Sequence, residues 1–209
     1  MNKTTLAKAL LCTSLLASLA SLSGCVALVV GGAAAGAAAT VDRRTLGAQT
    51  EDKAIAVKAD LRLPKVAGAD AHVNAYAYNR QVLLTGEVKD AAARAAVEKE
   101  AKAIDGVGSV ANEITIAGPA TYTARSNDTL ITGKVKASLV DMRTISATSF
   151  KVVTDKTVVY LMGRVTQREG QVGADVARSV NGVSKVVKMF EYITEDEMRA
   201  LSPTSSVQL

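Results

Sequence analysis

Hydrophobic residues in this chain follow two alternating periods, and the same succession of periods occurs twice between residues 52 and 193. In each copy, apolar residues first recur every fourth position and then alternate with polar residues over two segments. They next return to helical spacing and finally alternate again. Helical spacing predicts an amphipathic helix, and alternation predicts a strand with one buried face. The pattern therefore predicts two helix–strand–strand–helix–strand units.

The two units also match each other in sequence. Asp52-x-x-Ile55-x-x-x-Ala59-x-x-x-Leu63 corresponds to Asp128-x-x-Ile131-x-x-x-Val135-x-x-x-Leu139. Farther along, Val82–Val88 corresponds to Val159–Val165, and Ile104–Val110 corresponds to Val180–Val186. Self-similarity at a nearly fixed spacing indicates a duplicated structural unit. We therefore expect two small domains rather than one of medium size.

Each unit is predicted to be an α+β domain in which two helices cover one face of a three-stranded mixed sheet. Tight-turn residues, Tyr78-Asn79-Arg80 and Asp155-Lys156, connect the first two strands of each unit. Glycine follows each second helix, as helix C-termini prefer. The predicted elements are, in the first unit, Asp52–Leu63, Ala71–Ala77, Gln81–Val88, Asp90–Ile104 and Val110–Ile116, and in the second, Asp128–Asp141 with Asn127 or Asp128 as its cap, Ser149–Thr154, Thr157–Val165, Gln167–Val180 and Val186–Ile193.

Residues 1–24 have the pattern of an export signal. Lys3 and Lys8 accompany an apolar run, Ala9–Leu22, that ends in small residues before Cys25. This order is typical of a signal peptide that is removed on export. A membrane-spanning helix is the alternative, but it needs about 20 strongly apolar residues, and this run is shorter and contains several hydroxyl side chains. The Gly/Ala-rich residues that follow, within 25–49, are expected to form a flexible tether.

Leu22-Ser23-Gly24-Cys25 resembles the lipobox of bacterial lipoproteins. The resemblance implies cleavage before Cys25, diacylation of its sulfur and acylation of its new amino group. Val26 follows Cys25, whereas aspartate at that position favours inner-membrane retention in lipoproteins of enteric-type bacteria. The resemblance therefore implies a protein anchored in the outer membrane and facing the periplasm.

Composition narrows the possible functions. Of the two cysteines, Cys12 lies in the signal peptide and Cys25 is the lipidation site, so no thiol remains for a disulfide, a metal or a nucleophile. Removal of the signal peptide leaves 23 basic residues against 20 acidic ones. This mild excess suits an anionic membrane surface but is far from the basic stripe of a nucleic-acid-binding protein. The absence of Trp and the 3% content of aromatic residues leave few stacking platforms for bases.

No pattern of catalytic or cofactor-binding residues is present in the sequence. His72, the single histidine, begins a predicted strand and is expected to be a surface residue, without acids or cysteines at metal-ligand spacing. The dinucleotide-binding pattern G-x-G-x-x-A is matched by the residues Gly106-Val107-Gly108-Ser109-Val110-Ala111. Its context is reversed, because a predicted helix precedes it and a strand follows it. We therefore expect no enzymatic activity, no cofactor and no metal.

The repeat motifs resemble the BON domain, a bacterial module associated with phospholipid surfaces. The resemblance rests on the Asp128 opening, on Gly163-x-Val165 and on Gly182-Val183-x-x-Val186. The first copy departs from the pattern by having Ala59 where valine is usual. The copies are expected at residues 50–118 and 126–194, followed by a disordered tail at 195–209. The motif residues are expected to be core and turn positions rather than a binding site: Ile131, Val135, Leu139, Gly163 and Gly182.

One face of the second opening helix is unusual in composition. Ile131, Val135, Leu139 and Met142 fall on the side expected to face the sheet. The opposite side is apolar except for one lysine and carries the candidate phospholipid-binding residues, which are Leu130, Gly133, Lys134, Ala137 and Val140. An apolar and cationic helix face suits insertion among lipid headgroups. In the first copy this face has Val57 and Leu61 but also Asp60 and nearby Glu51, which makes it less suitable.

The BON resemblance implies that the opening helix of the second copy contacts phospholipid. In the dual-BON lipoproteins an aromatic residue occupies the position that Leu130 has in this chain. Two BON copies behind a lipobox resemble dual-BON outer-membrane lipoproteins. This resemblance implies envelope integrity as the role, and as partners an anionic phospholipid membrane together with envelope or outer-membrane assembly proteins. Two alternatives stay open. Leu130 and Val140 either pack against the first copy or bind a protein partner, in which case the chain is a scaffold or chaperone and lipid serves only as its anchor.

Overall fold

The structure, a computed structural model, describes residues 42–201. The predicted signal peptide, Cys25 and most of the tether lie outside the described residues, as do residues 202–209. The described part contains two successive helix–strand–strand–helix–strand units. The prediction of two tandem α+β domains is thereby confirmed.

The helices and strands are labelled in chain order. The first domain contains α1 (Leu46–Ala67), β1 (His72–Tyr78), β2 (Gln81–Val88), α2 (Ala91–Lys102), β3 (Ser109–Asn112) and β4 (Thr115–Ile116). The second domain contains α3 (Tyr122–Asp141), β5 (Phe150–Asp155), β6 (Val158–Val165), α4 (Gln167–Ser179) and β7 (Lys185–Tyr192), and a short helix, α5 (Glu195–Leu201), follows it.

Both sheets are mixed and have the same topology. The first two strands of each domain form an antiparallel hairpin, and the third strand pairs in parallel with the second. In the first domain this third strand is interrupted, so that β3 and β4 pair separately with β2. The Asn112 side-chain oxygen accepts a hydrogen bond from the Ile114 amide at 3.2 Å. Such a local contact competes with the sheet ladder and accounts for the interruption.

The opening helices begin earlier than the sequence pattern indicated. Thr45 and Thr121 cap them, each accepting a hydrogen bond from the backbone amide three residues later. The prediction that Asn127 or Asp128 caps the second opening helix is therefore wrong. Asp128 lies inside α3 and is buried, which gives its carboxylate a different role.

Asp128 holds the hairpin turn between β5 and β6. Its two carboxylate oxygens accept hydrogen bonds from the backbone amides of Lys156 and Thr157 at 2.9 and 2.8 Å. Both of these residues have positive φ, 48° and 63°, which is the type I′ geometry that normally favours Asn or Gly. The buried carboxylate stabilises a turn whose residues would otherwise avoid this conformation. Asp52 does the same for Asn79 and Arg80.

The two domains have separate cores of matching composition. In each, the inner sides of both helices pack on one face of the sheet, and Ile131, Val135 and Leu139 are at most 1% exposed. Met142, which the sequence pattern placed on the same side, is the residue after α3 and is 36% exposed. Gly182 follows α4 with φ at 98°, a conformation that suits glycine.

The uncovered faces of the two sheets pack against each other. A third cluster of buried side chains, contributed by both domains, fills the space between the sheets: Tyr78, Leu83, Val153, Tyr160, Met162 and Met189. The result is a four-layer arrangement of helices, sheet, sheet and helices. The two helices of the first domain therefore form one outer layer, and the two helices of the second domain form the opposite one.

The chain after β7 differs from the expected disordered tail at 195–209. Residues Glu195–Leu201 form the helix α5, and the Glu197 amide donates a hydrogen bond to the Thr194 hydroxyl at 3.1 Å. Threonine is a favourable N-cap, and acidic residues in the first turn suit the helix dipole. The polar composition of this segment therefore did not indicate the short capped helix that it forms.

Replacing glycine with alanine at two positions, Gly163 and Gly133, tests the fold, because the two variants should have opposite effects on stability. A Cβ atom on Gly163 would lie 2.3 Å from the Ser149 carbonyl oxygen, whereas a Cβ atom on Gly133 would meet nothing within 4 Å. We expect Gly163→Ala to lower the free energy of unfolding by about 2 kcal/mol. Gly133→Ala should raise it by about 0.5–1 kcal/mol, because alanine favours a helix over glycine. Urea denaturation measures both. Equal effects of the two substitutions would contradict the described packing around Gly163.

Candidate functional site

The outer face of α3 is a continuous exposed surface. The helix buries Asp128, Ile131, Val135 and Leu139 on its inner side. Leu130 and Val140 are 64% and 67% exposed on the outer side, and the remaining residues of the predicted face are exposed as well: Gly133, Lys134 and Ala137. We call these five residues the α3 face. Because Leu130 and Val140 do not pack against the first domain, that alternative is wrong.

The longer helix adds an aromatic residue to the α3 face. Tyr122 occupies the first position of α3 and is 81% exposed. At about 100° per residue, it lies on the same side as Gly133 and Val140. The sequence analysis missed it because the predicted helix began at Asp128. The available signal was Thr121, a favourable N-cap placed before Tyr122.

The charge on this side of α3 is cationic and unpaired. Lys134 and Lys136 are exposed, and neither forms an ion pair or hydrogen bond with any residue between 42 and 201. The nearest acidic residue on the outer side is Asp141, at the C-terminal end of the helix. A free ammonium group beside exposed apolar side chains can meet an anionic surface without first breaking an internal contact.

A cleft of about 330 Å³ lies beside α3, between the two domains. Arg125, Thr129 and Thr132 of α3 face the cleft, opposite His72 and other polar residues of β1. His72 is half-buried there rather than at the surface, with its Nε2 atom 3.3 Å from the Asn74 side-chain nitrogen. Within residues 42–201, no three potential metal-ligating side chains are grouped together.

Asp155 lines the same cleft in an acidic environment. Burial raises the pKa of its carboxyl group, and the charges of Glu87 and Asp128 raise that pKa further. Lys156 partly offsets this charge, because its Nζ atom lies 3.1 Å from a carboxylate oxygen of Glu87. This charge cluster joins the two domains and lies on the side of α3 away from the α3 face.

The N-terminal end of the described chain is attached to the second domain. Arg43 forms a bidentate ion pair with Glu169 of α4 at 2.7 and 2.8 Å, and both side chains are at most 5% exposed. Arg43 also donates to the Arg164 carbonyl oxygen at 3.0 Å, and Arg164 donates to the Arg43 carbonyl oxygen at 3.1 Å. We call these contacts the Arg43 clamp. The next residue, Arg44, forms an ion pair with Asp52 of α1 at 2.7 Å, so the N-terminal end of the described chain contacts both domains.

Glu169 serves two structural purposes at once. Its side chain accepts a hydrogen bond from the Thr166 amide, and Thr166 accepts one from the Glu169 amide, which together form a capping box at the start of α4. Burial acts to raise the pKa of Glu169, but the hydrogen bonds from Arg43 and Thr166 outweigh it and hold the pKa below the usual value of 4.5. The clamp therefore depends on an ionised Glu169.

Comparisons with known proteins agree with the repeat. The BON domain model matches residues 51–118 and 127–194. The chain is 36% identical over 174 residues to the outer membrane lipoprotein DolP of Haemophilus influenzae, covering 82% of this chain and 90% of that protein. It is 32% identical over 155 residues to the 21 kDa hemolysin of Actinobacillus pleuropneumoniae, covering 73% and 80%.

A shorter similarity links the chain to the osmotically-inducible protein Y of Escherichia coli, at 44% identity over 61 residues, or 29% of this chain and 30% of that protein. Within residues 42–201, no helix has the length and apolar character needed to cross a membrane.

The Arg43 clamp gives a pH-dependent prediction. Arg43→Met leaves the Glu169 carboxylate buried and unpaired, so we expect the free energy of unfolding at pH 7 to fall by about 3 kcal/mol. A carboxyl with a lowered pKa stabilises the fold above its unfolded pKa and loses this effect as the pH falls through its folded pKa. The difference between wild type and variant should therefore shrink below pH 4.5.

Thermal unfolding followed by circular dichroism between pH 7 and pH 3 measures this difference. The matched control is Arg178→Met, because the Arg178 side chain is 48% exposed and its ion-pair partner on the same helix, Asp175, is 57% exposed. Its effect should stay within about 1 kcal/mol. An equal effect of the two substitutions would show that the Arg43 clamp carries no special stability.

Proposed function

Because this chain belongs to the BON domain family, we propose that it is an outer-membrane lipoprotein that binds anionic phospholipid through the α3 face and thereby supports envelope integrity. The anchor in this proposal is Cys25, acylated after removal of residues 1–24. The protein faces the periplasm. The observation that carries the proposal is the α3 face itself, which is exposed, apolar and bordered by unpaired lysines.

The physical basis of binding is the match between the α3 face and a headgroup layer. Leu130 and Val140 provide exposed apolar area, and burial of such area at the interface is favourable. A lysine near an anionic membrane surface adds about 1 kcal/mol. Tyr122 extends the same side with an amphipathic ring, and such rings favour the headgroup zone. Together these groups suit an anionic bilayer better than a neutral one.

The anchor and the α3 face act together in this proposal. A single helix face with one or two lysines binds weakly, whereas several acyl chains attach a protein durably. Attachment raises the local concentration of the α3 face near the bilayer, so that weak binding becomes effective. The acyl chains then determine which membrane is occupied, and the α3 face responds to the lipid composition.

Vesicle binding tests the lipid contact. A soluble form beginning at Thr40 retains every described residue and lacks the anchor. We expect it to sediment with vesicles that contain phosphatidylglycerol or cardiolipin and not with phosphatidylcholine vesicles. Leu130→Glu and Lys134→Glu should each weaken binding about tenfold or more, because each replaces a favourable contact with a repelled carboxylate.

Gln167→Glu is the control for added negative charge, since Gln167 is exposed at the start of α4 and is not part of the α3 face. It should bind as the wild type does. If the wild-type soluble form fails to bind anionic vesicles, the phospholipid proposal is lost. The exposed Leu130 and Val140 would then favour the scaffold or chaperone alternative, with lipid as anchor only.

The anchor has an independent test. Mass spectrometry of the mature protein purified from outer membranes should show an N-terminal Cys25 carrying three acyl chains. Cys25→Ser should leave the protein unprocessed and absent from that membrane fraction. Recovery of an intact Met1 from the wild-type membrane form would contradict the lipobox assignment.

A further inference from the structure

Helix α1 of the first domain has an exposed apolar face that the proposed function does not use. Leu46, Val57 and Leu61 are 81%, 58% and 64% exposed. At about 100° per residue they lie on one side of the helix, opposite the buried Ile55 and Leu63. We call Leu46, Val57 and Leu61 the α1 face. Its exposed area is comparable with that of the α3 face.

The two acidic residues that made this helix less suitable, Glu51 and Asp60, differ in their effect on the α1 face. The Glu51 carboxylate is 3.6 Å from Arg80 Nε, so its charge has a partner. Asp60 is exposed and borders the α1 face beside Lys53, because at about 100° per residue it projects about 40° from Leu46 and about a quarter turn from Leu61. Its charge raises the pKa of Tyr76, which places Asp60 toward the β1 side of the helix.

Lysines border the α1 face on both sides. Lys53 and Lys65 are exposed and form no ion pair or hydrogen bond with any other residue from 42 to 201. The Lys58 ammonium donates one hydrogen bond, at 3.3 Å, to the Asp105 carbonyl oxygen. Lys53, Lys58 and Lys65 outnumber Asp60 at this border, so the apolar centre keeps a net cationic border that is complementary to an anionic lipid surface, as on the α3 face.

The repeat places the two faces at equivalent positions on opposite sides of the molecule. Leu46 occupies the position of Tyr122, and Lys58 that of Lys134. Because the sheets pack against each other, α1 and α3 belong to opposite outer layers.

We infer that the α1 face is a second contact surface for anionic phospholipid, so that one molecule can hold two anionic bilayer surfaces at once. This inference rests on the proposed function of the α3 face. It adds that the first domain takes part in membrane contact and that the protein connects lipid surfaces rather than only covering one.

Vesicle clustering separates this inference from the proposed function. The soluble form beginning at Thr40 is mixed with phosphatidylglycerol–phosphatidylcholine vesicles, and bound protein and particle size are measured by sedimentation and dynamic light scattering. The wild type should bind and enlarge the particles severalfold. The variant Val57→Glu/Leu61→Glu should still bind through the α3 face, with severalfold lower apparent affinity, but should no longer cluster vesicles.

The matched variant is Leu130→Glu/Val140→Glu, which should likewise bind through the remaining face without clustering. All four positions are exposed, so unchanged thermal unfolding shows that both variants fold. If the α1 variant clusters vesicles as the wild type does, the inference is overturned while the α3 proposal stands. If only the α1 variant loses binding, the α3 proposal fails and the α1 face is the lipid contact. Failure of the wild type to bind overturns both.

Discussion

The contact between the two sheets determines which surfaces of this protein are free. Each sheet has two faces, and one of them is covered by the two helices of its own domain. Tyr78 and Leu83 from one sheet and Tyr160 and Met162 from the other fill the space between the remaining faces. Polar contacts at the edge, such as Lys151 Nζ to the Ala77 carbonyl oxygen at 2.9 Å, fix the relative position of the domains. The outer sides of the helices are therefore what the molecule presents to its surroundings.

Elements with local periodicity were predictable from the sequence. The strand Gln81–Val88 was predicted at its observed bounds although both of its faces are buried, because a short, mostly apolar run between turn residues predicts a strand. The N-terminal ends of the helices were harder to predict from the sequence. Thr121 begins α3 well before the first buried residue of the repeat motif, and the intervening turns face solvent without an apolar pattern. Capping by threonine, rather than burial, sets that boundary.

Long-range polar contacts could not be inferred from one sequence. Asp128 looked like a cap because aspartate is common before helices, but its carboxylate instead receives the amides of a turn 28 and 29 residues away. Arg43 and Glu169 are 126 residues apart and leave no local pattern. The candidate lipid face was different. All five predicted residues of α3 are exposed together, because helical periodicity alone decides which residues share a side, and only Tyr122 was added by the longer helix.

The Arg43 clamp also sets how the protein carries mechanical load. In the proposed lipoprotein, a pull on the anchored end enters the fold at Arg43 and is resisted by the ion pair to Glu169 and the reciprocal contacts with Arg164. These bonds lie before α1 in the chain, so tension passes into α4 and β6 without stretching the first helix. In this proposal, the first domain is thereby shielded from drag on the anchor for as long as the contacts of the Arg43 clamp hold.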